Sequence, residues 1–311
     1  ERDIEEIIKP QMMSKIHNVY NDLRKILSEY SSDNSKIDSK KVENKMEDLS
    51  IIMEEIFNDI INSNQVVENL ASISVYDDYT LMHSLNMMML SVVIAKDAKF
   101  NMSEIKQLSM GCVFHDIGKT FLPIEVINKP GKLTNEEYEI IKQHPQIGYN
   151  FLKEFTELPL SARNISLSHH ERVGGSGYPR SLKDDEIHKF CKVAAISDVF
   201  DALISDRPYR RAIPIHEARE YILGGSRHFD INYIRVFSRS INPFPKDTLV
   251  YLSDGREGIV YEVRKDIFTR PEVKIYGEKG KEVNPYFLDL RENNDIVIEK
   301  VIHIFSFNQQ K

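Results

Sequence analysis

His115 and Asp116 are neighbours in Cys112-Val113-Phe114-His115-Asp116-Ile117-Gly118-Lys119, and His169 and His170 are neighbours in Ser168-His169-His170-Glu171. Imidazole and carboxylate together are the donor set of hydrolytic metal sites. Of the 10 histidines, His83, His115, His144, His169 and His170 all fall between positions 83 and 170. A single His-Asp pair is more often a hydrogen-bonded core pair. The second adjacent pair changes the balance. Neighbours on a helix point about 100° apart, so two histidines facing one site imply a pair of ions or a helix end. One carboxylate between two ions can bridge them. On a helix, Lys119 follows His115 by four and Asp116 by three, so all three would share a face. Gly118 between them would leave room for a substrate to approach the backbone.

Asp198 and Asp201 stand three apart in an otherwise apolar run. A buried carboxylate needs a partner. A metal, a histidine, or an ion pair with Arg207 or Arg210 would each supply one. Those two arginines, in Asp206-Arg207-Pro208-Tyr209-Arg210-Arg211, suit bidentate phosphate contacts or simple solvation.

The elements that must position these residues are mostly helices. Ile4, Ile8, Met12, Ile16, Val19, Leu23 and Ile26 recur at helical spacing over residues 1 to about 30. Small polar residues at 31–35 break that pattern. Val42, Met46, Leu49, Met53, Ile56 and Ile60 then form a short heptad seam, which Ser63 interrupts and Val67 and Leu70 resume. Such a seam packs as a hairpin on the next domain, or pairs two copies as a homodimer or relay. Further helices are expected over 77–95, 102–120, 158–170 and 189–205. Thr134-Asn135-Glu136-Glu137 is a capping box that opens another. Pro145 disfavours α conformation at His144 and suits a first turn, which puts His144 at a helix break. Residues 174–179 read as a loop. Beyond Asn242-Pro243-Phe244-Pro245, short β-rich runs appear at 248–252, 258–263, 272–276 and 296–301, with turn signals at Asp254-Gly255 and at 277–280. The expected fold is mainly α, in three parts: an N-terminal helical region (1–70), a central helical domain (71–242) and a small β module (243–311).

Composition limits the alternatives. A length of 311 residues suggests about two domains at ~150 residues each. Apolar residues at 41% and charged residues at 29% describe an ordinary globular chain. A net charge of −7 gives no general attraction to a nucleic-acid polymer. An anionic substrate would need a local cationic pocket or bound metal instead. Cys112 and Cys191 are too few for a disulfide framework, and the cytoplasm is the expected compartment. No apolar run approaches the ~20 residues of a membrane span, and no secretory signal is visible. Glu1 rather than Met opens the chain. That points to a piece of a longer protein, and any upstream sensor domain or membrane anchor would lie beyond the residues read.

Together the motifs resemble an HD-GYP domain, a branch of the HD phosphohydrolase superfamily. They are His115-Asp116-Ile117-Gly118-Lys119, Asn128-Lys129-Pro130-Gly131-Lys132-Leu133-Thr134, His169-His170-Glu171 with Gly175 and Gly177-Tyr178-Pro179, and Arg207-Pro208-Tyr209-Arg210. The resemblance implies an HD-domain helical bundle acting in bacterial signalling. Its activity would be hydrolysis of cyclic di-GMP to pGpG, and on a second cut to GMP, by hydroxide at a two-metal site. It implies that His83, His115, Asp116 and Asp198 hold one ion, and that Asp116 bridges to a second held by His144, His169 and His170. Iron or manganese is the family expectation, and zinc also suits these donors. Asp116 and Lys119 would be catalytic; Lys119, Arg207, Arg210, Gly177, Tyr178 and Pro179 would bind substrate. Members with three metals carry Glu four residues before the first histidine. Tyr79 stands there, so two ions are expected. Gly174 replaces the usual Asp or Asn before the first glycine of the GYP loop, which predicts a more mobile loop. Two alternatives remain: a member that binds cyclic di-GMP without cutting it, and a phosphohydrolase acting on another cyclic dinucleotide.

Overall fold

The computed structural model describes residues 14, 17–19, 21–22, 25–26, 39–62, 79–206, 211–264 and 267–302. Its described helices are α1 (Ser39–Asn62), α2 (Tyr79–Asp97), α3 (Met102–Val113), a 3-10 helix (Ile117–Phe121), α4 (Ile124–Ile127), α5 (Asn135–Ile141), α6 (His144–Phe155), α7 (Leu160–Ser168), a short 3-10 turn (Asp184–Glu186), α8 (Lys189–Ile204), α9 (Ile215–Leu223) and α10 (Ile231–Ser240). A C-terminal antiparallel sheet follows, so the fold is mainly α with a small β module, as expected. The chain divides into two compact units, Glu1–Ala212 with Ile222–Val236 and Ile213–Tyr221 with Phe237–Lys311. No described helix is long and apolar enough to cross a membrane.

In the first unit, the central helices are apolar almost all round, the pattern of helices with no face left for water. Residues 82–90 of α2 are buried throughout. α8 buries both Asp198 and Asp201. α2 packs on α3 and α8, and α3 packs on α7. Ser91 Oγ donates to Ser197 Oγ at 2.9 Å between α2 and α8. In α1, Val42, Met46, Leu49, Met53 and Ile56 are buried, and the helix lies against α3 and α6. Helices of this chain therefore cover the heptad seam. The described residues between 14 and 26 are helical. The break at 31–35 and the resumption at Val67 and Leu70 lie outside the described residues.

Local signals set several boundaries. Asn101 and Glu104 form a capping box on α3, and Thr134 and Glu137 form the expected one on α5. α6 begins at His144 with Pro145 in its first turn. Two expectations fail together. The helix expected over 102–120 stops at Val113, and the chain resumes as the 3-10 helix Ile117–Phe121. His115 and Asp116 thus lie in a break, not on one helical face with Lys119. Gly118 does not make room for a substrate either. A Cβ there would stand 2.0 Å from the His144 carbonyl oxygen, so the glycine permits α6 to approach. α7 starts behind Pro159 and ends at Ser168, which leaves His169 and His170 just past its end.

In the second unit the strands are β1 (Leu249–Leu252), β2 (Arg256–Glu262), β3 (Glu272–Glu278), β4 (Lys281–Asp289) and β5 (Ile298–Ile302). They pair antiparallel in the order β4-β3-β2-β1-β5. One face buries Val250, Leu252, Val260, Val273, Ile275 and Leu288. Sequence reasoning expected four strands and missed β4. That strand is mostly exposed and contains Pro285. Proline has no N–H for a ladder, and a sheet edge, where β4 lies, tolerates it. The β3–β4 turn uses Lys279 (φ 50°) and Gly280 (φ 76°), the left-handed pair that a two-residue hairpin turn demands.

Candidate metal centre

The first unit gathers all seven expected metal ligands. His83, His115 and Asp198 form one group, and Asp116, His144, His169 and His170 form another; within each group the donor atoms lie within 4.8 Å of one another. α2 supplies His83, α8 supplies Asp198, and the break after α3 supplies His115 and Asp116. His144 opens α6, and His169 and His170 follow α7. All but His170 are buried, and His170 is partly so.

The second partners of the rings fix how they face the centre. Nδ1–H of His115 donates to the Cys112 carbonyl at 2.7 Å, and Nδ1–H of His144 to that of Ile141 at 2.6 Å. Nδ1–H of His169 is shared between the Ile165 and Ser166 carbonyls at 3.0 and 3.1 Å. With Nδ1 committed, the neutral ring presents the Nε2 lone pair, the form that ligates a metal. His83 differs, because its Nδ1–H donates to the Asp201 carboxylate at 2.7 Å.

Asp116 lies between the groups. Its Oδ2 is 3.3 Å from His115 Nε2 and 2.5 Å from Lys119 Nζ. Its Oδ1 is 3.2 Å from His144 Nε2 and 3.8 Å from His169 Nε2. With Nδ1 donating to a carbonyl, the neutral form of each ring faces Asp116 as an acceptor, and Asp116 Oδ1 is a buried oxygen without a hydrogen-bond donor. Acceptors facing acceptors at this range repel unless a cation stands among them. The donor set therefore fits a divalent metal. Asp198 also reaches both groups, with Oδ1 at 3.2 Å from His83 Nε2 and Oδ2 at 3.7 Å from His170 Nδ1.

Titration follows from these contacts. Burial would raise Asp116, but the neighbouring His115 imidazole and Lys119 ammonium outweigh it and hold the carboxyl well below its usual range. Burial acts likewise on Asp198, and hydrogen bonding to His83 overrides it. Burial, reinforced by neighbouring imidazoles, keeps His169 and His170 well below the ordinary imidazole value. Burial opposes a charge on His83 too, yet hydrogen bonds to Asp198 and Asp201 raise it to about 9.

The GYP loop closes one side. Tyr178 stacks on His170 with ring centres 4.6 Å apart and planes at 26°. Burial pushes its hydroxyl up, so it stays protonated. A Cβ on Gly177 would stand 2.4 Å from Glu171 Cα, and Pro179 follows Tyr178 through a cis peptide bond. The backbone beside Gly174 is hydrogen-bonded although the side-chain cap is missing. Val173 and Gly174 N–H groups donate to the His228 and Arg227 carbonyls, both at 3.1 Å. Arg207 and Arg210 lie outside the described residues, as does the side chain of Tyr79.

Two residues escaped sequence reasoning as site components. Asp201 holds His83 and also accepts from Asn86 Nδ2 at 2.8 Å. Its i,i+3 spacing to Asp198 was visible, but which of the two faced the metals was not. Glu171, almost wholly buried, accepts from the Arg180 and Leu182 N–H groups at 2.8 and 2.9 Å and so ties down the GYP loop. Its place beside His170 was the available signal.

A family profile for the HD domain matches residues 55–232, and one described as a KOW domain associated with HD domain matches residues 249–310. The chain belongs to the HD domain family. Within it, the chain is of the HD-GYP type that its motifs resemble. Bd1817, a HDG"Y"P protein from Bdellovibrio bacteriovorus, shares the fold with a TM-score of 0.54 at 16% identity, over 74% of this chain and 72% of that one. The cyclic di-GMP phosphodiesterase PA4108 of Pseudomonas aeruginosa is 31% identical over 227 residues, 73% of this chain and 55% of the relative. The 3'3'-cGAMP-specific phosphodiesterase 3 of Vibrio cholerae is 33% identical over 140 residues, 45% of this chain and 30% of the relative. The chain thus spans about half, or less, of the length of the curated relatives it matches.

Proposed function

We propose that this chain is a metal-dependent phosphodiesterase that hydrolyses cyclic di-GMP to pGpG and then GMP. The observation that carries this is the division of Asp116, whose two oxygens face two separate groups of metal donors. His83, His115, Asp116 and Asp198 would hold one ion, and Asp116, His144, His169 and His170 a second, with iron or manganese as the expected metal. Bound there, such ions acidify water towards neutral pKa and neutralise phosphoryl charge. The chain's own residues prepare the rest. Backbone carbonyls keep three imidazoles turned inward as lone-pair donors. The Lys119 ammonium beside Asp116, one-third exposed, offers a cation to a phosphate oxygen. Tyr178 offers a hydroxyl proton at the rim. Residues 71–242 contain all of these groups and are the proposed catalytic domain; Arg207 and Arg210 are proposed phosphate contacts on their motif alone.

The names of the relatives support a cyclic dinucleotide as substrate, and the Vibrio relative favours 3'3'-cGAMP as a second reading. Metal-loaded protein is incubated with each dinucleotide and the products are separated by chromatography. Release of pGpG or GMP from cyclic di-GMP is expected. Turnover of 3'3'-cGAMP alone would establish the second reading, and binding without turnover would overturn both.

A further inference from the structure

The segment Asn128–Thr134 was singled out in the sequence, yet none of its residues reaches the metal donors. Its contacts run to α5 instead. Lys129 Nζ pairs with Glu137 at 2.6 Å, and Thr134 caps the same helix. Two independent contacts thus fix one short helix from its N-terminal side. What that helix presents is Tyr138, with Lys142 one turn later at its end. Tyr138 is 46% exposed. Its ring meets Tyr178 edge-on, with centres 6.3 Å apart at 78°. Lys142 Nζ stands 5.2 Å from the Tyr138 ring centre and 6.0 Å from that of Tyr178. Its ion-pair partner, Glu139 at 2.5 Å, is itself 68% exposed, and such a surface pair contributes little.

An aromatic series therefore leads outward from the metal centre, His170 to Tyr178 to Tyr138, with one ammonium over the outer two rings. We propose that Tyr138 and Lys142 form a subsite for a purine base of the substrate, with guanine preferred over adenine; this rests on the dinucleotide reading above. Bases stack on exposed aromatic rings regardless of sequence. The ammonium adds the discrimination. Guanine presents two acceptors, O6 and N7, on one edge, whereas adenine replaces O6 with an amino donor that an ammonium repels. With a phosphate held at the metal donors, a flanking base would lie along this outward series.

The test compares the holoprotein with Tyr138→Ala and Lys142→Met. Tyr138→Ala should raise KM for cyclic di-GMP about tenfold, the loss of one stacked base, while bound metal is retained. Lys142→Met should lower the ratio of kcat/KM for cyclic di-GMP over cyclic di-AMP about tenfold. GMP and AMP are titrated in parallel, since their binding needs no turnover. The unsubstituted protein should favour GMP, and Lys142→Met should lose that preference. If no cyclic dinucleotide is hydrolysed, the phosphodiesterase reading fails while the GMP titration still decides the subsite. An unchanged KM and unchanged guanine preference in both variants would overturn it. Should a variant fail to fold, equal binding of GMP and AMP by the unsubstituted protein would overturn it as well.

Discussion

The two halves of the candidate metal centre differ at one imidazole, because His115, His144 and His169 all rest on backbone carbonyls while His83 does not. Around His144 and His169, ring protons go to backbone carbonyls, and burial keeps the neighbouring His170 and His169 neutral. Around His83, two carboxylates grip the ring and raise its pKa to about 9. A carbonyl orients a ligand without changing its charge. A carboxylate orients it and also favours a competing proton. An ion therefore meets carbonyl-held lone pairs in both halves, while His83 must release a proton first.

The largest effect should come from Asp116→Ala, which removes the oxygens facing both halves. Elemental analysis should find both ions lost and turnover abolished; retained turnover would break the link between the halves. Asp201→Ala should separate them. It removes the carboxylate behind His83 and should weaken one ion about 10–100-fold, the usual cost of losing a ligand's outer partner, while leaving the other in place. Equal weakening of both in a metal titration would erase the distinction. Gly118→Ala acts on the other half, because the new methyl group collides with the His144 carbonyl. Such overpacking should destabilise the fold by about 1–3 kcal/mol, read from denaturant unfolding, and should loosen the His144 half first.

The smallest effect is a pH dependence of the metal-free protein. His83 has its folded pKa raised from 6.5 to about 9. The folded state therefore binds the proton more tightly than the unfolded state does. The resulting stability is fully present below about 6.5 and is lost as pH rises through about 9. Thermal melting of chelated protein across that window should show the loss, and His83→Gln should flatten it. A variant with the same slope would show that the carboxylates do not favour the proton.

Much of this candidate centre was legible because residues able to ligate a metal are of particular types, and adjacent pairs of them are conspicuous. Asp201 was not separable from Asp198 by type or spacing; only folding puts one of them behind His83, 118 positions away. The carbonyls of Cys112, Ile141 and Ile165 carry no side-chain signature at all. The end of α3 at Val113 was hidden for a related reason, since Cys112-Val113-Phe114 contains no residue that stops a helix. In the β unit the sequence signal was present but pointed the wrong way. Pro285 argued against a strand, and only the position of β4 at the sheet edge makes it compatible with one.

His115 faces one half and Asp116 faces both, and a single peptide unit joins them. Their Cα atoms are therefore about 3.8 Å apart whatever the surrounding helices do. Breathing of α2 against α8 can tilt the outer ligands but cannot slide one half away from the other. The distance between two prospective ions is anchored by a covalent bond, not by packing. A residue inserted between His115 and Asp116 would leave every ligand in the chain and still put the two halves out of register.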